Sequence, residues 1–140
     1  MRDHNGTLLA VLALAACSPV TAIAPGTPGA GLRVTIATVT PNSVGYTVTA
    51  NATNADTTDV IIGACDGSVD ALQGGQWIKR TPDVGPCPAY AIVIMPGQTR
   101  PITLRDQPVM SGDQIRFTMD WSEEYTRIEG SSTSPTITVQ

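Results

Sequence analysis

Val44, Tyr46, Val48 and Ala50 alternate with Gly45, Thr47, Thr49 and Asn51. In an extended backbone successive side chains point to opposite faces, so this segment lays an apolar row on one side and hydroxyls on the other. It reads as a strand with one face buried. Just upstream, Leu32, Val34 and Ile36 alternate in the same way with Arg33 and Thr35. Residues 40–43, Thr-Pro-Asn-Ser, supply turn chemistry between the two, which predicts a hairpin or a corner.

Further segments follow at intervals of roughly ten residues. Residues 60–65 form a short apolar run, residues 68–72 and 76–80 flank Gly74-Gly75, and the run 90–95 stops at Pro96-Gly97. Residues 100–104 come next. In 114–121, Ile115, Phe117, Met119 and Trp121 face one way and Arg116, Thr118 and Asp120 the other, and 135–140 closes the chain. Composition agrees: 13 Gly and 11 Pro punctuate a chain with only 14% charged residues and no long Glu/Lys/Ala-rich run. The expectation is all-β, an antiparallel sandwich or barrel of about 7 to 9 strands, with no fixed-period repeat. At 140 residues the chain accommodates one such domain, taken as residues 32–140.

The first seventeen residues have a different character. Residues 8–16 are an uncharged apolar run preceded by Arg2, about half the length that spans a bilayer and the length of a signal-peptide core. It ends in Leu14-Ala15-Ala16-Cys17, which resembles the lipobox of bacterial lipoprotein precursors. The resemblance implies removal of residues 1–16 as a signal peptide and a diacylglycerol thioether on Cys17, with acylation of its freed amine. One acyl chain holds a protein only marginally, at about 0.8 kcal/mol per buried CH₂, so two or three make a stable anchor. Ser18, not Asp, follows the cysteine; by enterobacterial usage this implies the periplasmic face of the outer membrane if the source is Gram-negative. Residues 18–31 then contain three Pro and three Gly without a charge. With Cys17 they read as a tether, the other reading being an edge strand that packs Val20 and Ile23.

With Cys17 given to lipid, Cys65 and Cys87 remain as an even pair in an exported context, where disulfides persist, and the expectation is that they are joined. The later region resembles a group of small bacterial lipoproteins and envelope proteins with an immunoglobulin-like sandwich. What carries this is the order of Cys65, Gly75-x-Trp77, Cys87-Pro88, Pro96-Gly97-Gln98-Thr99 and Gly112-x-x-Ile115-x-Phe117, then residues 132–139. It implies an immunoglobulin-like β-sandwich and no particular activity. The antibody pattern is absent, since Cys65 and Cys87 stand too close for the inter-sheet bridge and no Tyr lies two residues before Cys87.

The chemistry to be found is sparse. The single histidine, His4, lies in the signal segment, so no catalytic residue is assigned and an enzyme is not expected. Glu123-Glu124 reads as part of a solvated loop. Asp66 and Asp70, with Asp56 and Asp59 upstream, lack the EF-hand spacing, and no metal or other cofactor is expected. A net charge of −4 without a basic cluster beyond Lys79-Arg80 argues against nucleic acid. Among the aromatics, Tyr90 and Trp121 sit in apolar segments and are expected in the core. Trp77 and Tyr125 lie beside polar turns and are equally suited to packing or to a ligand or partner surface. The resulting expectation is a membrane-anchored, non-catalytic structural or interaction module of the cell envelope, whose partner is an unidentified envelope protein or saccharide. The alternative is a binding protein for a saccharide, a small ligand or a secreted protease.

Overall fold

The computed structural model describes residues 31–80, 90–123 and 128–140. All regular structure among them is β: β1 Leu32–Asn42, β2 Gly45–Asn54, β3 Val60–Gly63, β4 Gly67–Gln73, β5 Gln76–Arg80, β6 Ala91–Ile94, β7 Thr99–Gln107, β8 Gln114–Glu123, β9 Glu129–Thr133 and β10 Ile137–Thr138. Every pairing is antiparallel. One sheet has the order β1-β2-β7; the other has seven strands built around β8, which carries β4 and β3 along one side and β9 and β10 along the other. The ten strands exceed the expected 7 to 9 because a polar strand, β9, joins the segments read from the sequence.

The two sheets face each other across one core. Val34, Val48, Ala50 and Ile102 from the first sheet join Val60, Ile62, Val69 and Phe117 from the second in a single buried cluster. The alternation read from the sequence sets these faces. In β8, Ile115, Phe117 and Met119 are fully buried while Trp121 is half-buried against the same cluster. In β2 the buried row is Val48, Ala50 and Ala52; Tyr46 packs at its margin and Val44, 68% exposed, belongs to the turn. That turn is Ser43-Val44 rather than residues 40–43, because β1 runs on to Asn42 through a bulge between Ile36 and Thr38. The extra residue restores the inward phase after Ile36 and lets Val39 pack on the core.

Strands β3 to β6 form one long hairpin. Its tip is Gly74-Gly75, with φ of +56° and +81°, the left-handed pair that a two-residue hairpin turn requires. Near the tip β4 pairs with β5, from Gln73↔Gln76 to Val69↔Arg80; farther along β3 pairs with β6, from Gly63↔Ala91 to Val60↔Ile94. Between those ladders the outgoing arm has five residues, 64–68, and the returning arm ten, 81–90. Cys65 lies between the ladders on the outgoing arm, and residues 81–89 of the returning arm lie outside the described residues.

Candidate functional site

The richest polar group lies on the outer face of the larger sheet, where β5, β4, β8 and β9 run side by side. Register places Lys79 and Arg116 on either side of Asp70, and Trp77 opposite Leu72. Asp70 is buried although it points away from the core, because its neighbours close over it. Its Oδ2 accepts hydrogen bonds from Arg116 Nε at 3.0 Å and from Thr118 Oγ1 at 3.2 Å. The Arg116 guanidinium also lies over the Trp77 ring, 4.4 Å from its centroid, where the negative face of the indole attracts a cation. Thr118 and Thr133 continue the row at 3.3 Å. Hydrogen bonding and stacking are what these groups offer a ligand, and one face of Trp77 is already given to Arg116.

Trp121 marks a second place. It turns inward from β8 opposite Gly130, and its Nε1 donates to Ser132 Oγ at 2.9 Å. A Cβ at Gly31 or at Gly130 would overlap the indole, so two glycines leave the space that the ring fills. Gly31 (φ +61°), just before β1, therefore lies directly against Trp121. Beside it is a shallow concavity of about 500 Å³ that Asp66, Asp120 and Glu129 make acidic. Asp66 is committed to its own turn, its Oδ2 accepting from Gly63 N. Among the described residues no three His, Cys, Asp or Glu side chains are grouped to hold a metal ion.

The outer face of the smaller sheet is a hydroxyl array. Thr49 Oγ1 meets Thr103 Oγ1 at 3.1 Å, Thr53 Oγ1 meets Thr99 Oγ1 at 2.8 Å, and Asn42 Nδ2 donates to Thr47 Oγ1 at 3.1 Å. These are cross-strand pairs that help hold the strands in register.

The residues singled out from sequence are dispersed. Trp77 is half-buried under Arg116, and Tyr125 lies outside the described residues. Cys65 is disulfide-bonded, while Cys17 and Cys87 lie outside the described residues. Tyr90, expected in the core, is 58% exposed because it precedes an edge strand whose inner pairs begin at Ala91. Glu123, expected in a solvated loop, is instead a buried residue at the end of β8, whose backbone N–H donates to Ile128 O. Glu124 lies outside the described residues. The Asp70 and Arg116 pairing was not foreseen, although both stand in alternating segments on the side opposite the apolar row.

The sequence matches no protein-family model and no curated protein. Among solved structures, the solution structure of R. palustris CsgH is similar over 73% of this chain and 89% of that one, at 13% identity and a TM-score of 0.37.

Proposed function

We propose that the protein is a lipid-anchored module of the bacterial cell envelope whose immunoglobulin-like sandwich acts by contact with another component and not by catalysis. The observation that carries this is the order along the chain: a lipobox-like Leu14-Ala15-Ala16-Cys17, an uncharged Pro/Gly-rich run, and a β-sandwich whose first strand begins at Leu32. In this reading Cys17 bears the lipid and residues 18–30 hold the domain near the membrane, at about 20 Å on average for a flexible chain of that length. Cys65 pairs with Cys87, which ties together the two arms of the long hairpin. The outer faces display threonine pairs and an Asp70–Arg116–Trp77 group, which offer a partner hydrogen bonding and stacking.

Growth with a fatty-acid analogue, followed by recovery of the protein, tests the anchor. Wild type should be labelled and Cys17→Ala should not. Label retained in Cys17→Ala, or an unlabelled wild type in cells that label other lipoproteins, would refute the proposal.

A further inference from the structure

Sheet edges present unpaired backbone groups, and proteins ordinarily guard them with charge, Pro or short length. Most edges of this sandwich are guarded. β1 carries Arg33 and Pro41, β7 carries Arg100, Pro101 and Arg105, β5 carries Lys79 and Arg80, β9 carries Glu129, and β10 has two residues. β6 differs. It ends its sheet, no described strand pairs with its outer edge, and no charged residue occurs from Tyr90 through Gln98.

The hydrogen-bond phase says which groups of β6 are available. Ala64 N donates to Tyr90 O, so by the alternation of an antiparallel pair the N–H and C=O groups of Tyr90, Ile92 and Ile94 point toward β3. Those of Ala91, Val93 and Met95 point away. Met95 is used in its own turn, where its C=O accepts from Gln98 N at 2.9 Å and its N–H reaches Gln98 Oε1 at 3.4 Å. Ala91 and Val93 are left, two donors and two acceptors on a neutral edge. Their side chains lie on the outer face with that of Met95; Val93 is 43% and Met95 50% exposed.

We infer that β6 pairs with β6 of a second copy of this chain, antiparallel about a two-fold axis at Ile92. In that register Ala91 of each copy exchanges both backbone bonds with Val93 of the other, and all available groups on the two edges are satisfied together. A two-fold contact sets a surface against itself, so any charge at its centre would meet its like. The lack of charge from Tyr90 through Gln98 is what such a contact needs, and it distinguishes β6 from the better-guarded edges. A ladder of this length is smaller than a standard stable interface, so the pairing is weak and concentration-dependent.

The test is a photo-cross-linking amino acid at Ala91 of the full chain in its native envelope, with and without Val93→Pro. Pro at 93 removes an outward N–H and leaves the bonds to β3 in place. The expected product has twice the chain mass, and Val93→Pro reduces it at least about tenfold, since the substitution removes two of the four bonds at once. An unchanged melting temperature shows that Val93→Pro still folds; if it does not, Val93→Lys in the same background replaces it, with the same expected loss. Absence of a dimer, a product joined only to another protein, or a dimer indifferent to both substitutions would overturn the pairing.

Discussion

Single residues decide how tightly this sandwich closes. Trp121 is seated by what its neighbours lack, because Gly31 and Gly130 have no Cβ to occupy the volume of its ring. Gly130→Ala should displace the indole and its bond to Ser132, lowering stability by about 1–3 kcal/mol as overpacked sites do, read as a fall in Tm. An unchanged Tm would mean the ring moves aside freely. Asp106 stands in the left-handed region (φ +55°) at the irregularity where β7 leaves register with β2. Asp106→Gly should be neutral or slightly stabilising, whereas Asp106→Val should cost about 1–2 kcal/mol, because a branched Cβ crowds the carbonyl there. On the outer face, Arg116→Ala removes both the partner of Asp70 and the cation over Trp77. With the pair partly exposed, a loss of about 1–2 kcal/mol is expected, and a double-mutant cycle with Trp77→Leu should show coupling near 0.5 kcal/mol. Neither contact was legible in advance. Alternation told which residues face out, but which outward residues meet depends on register, and register depends on bulges that no local pattern marks.

At the level of elements, what the sequence revealed depended on whether a strand has an apolar face. β2 and β8 were legible because Val48, Ala50, Phe117 and Met119 recur at period two. β9 was not. Its inward residues are Gly130 and Ser132, small and polar because Trp121 of β8 covers them, so Glu-Gly-Ser-Ser-Thr reads as loop. β6 shows the converse limit: a continuous apolar run identifies a strand yet does not say which side is buried, and half of it proved to face solvent. The long hairpin yields a prediction of its own. If Cys65 is joined to Cys87, reduction should lower stability by about 3 kcal/mol, the loop-entropy value for roughly twenty enclosed residues. Thermal unfolding of wild type with and without reductant, beside Cys87→Ala, checks this. A Tm unmoved by reductant would argue against a stabilising bridge, and one still moved by it in Cys87→Ala would assign Cys65 another partner.

For the whole molecule, the sandwich and the N-terminal segment address different questions. The all-β class followed from spacing and breakers, because burial of one apolar face per strand is imposed everywhere in the domain. The proposed function rests on sequence outside the described fold, residues 14–17, and the described surface adds hydrogen-bonded and stacked groups. Anchoring is therefore the claim on which the rest depends, and the protein's own N-terminus reports on it most directly. Mass spectrometry of the N-terminal peptide, from protein extracted from envelopes with detergent, should find a chain that begins at Cys17 and carries the added mass of a diacylglyceryl group with or without an amide-linked acyl chain. A peptide that reads through Cys17 with residues 1–16 still attached, or one that begins elsewhere with an unmodified thiol, would contradict it.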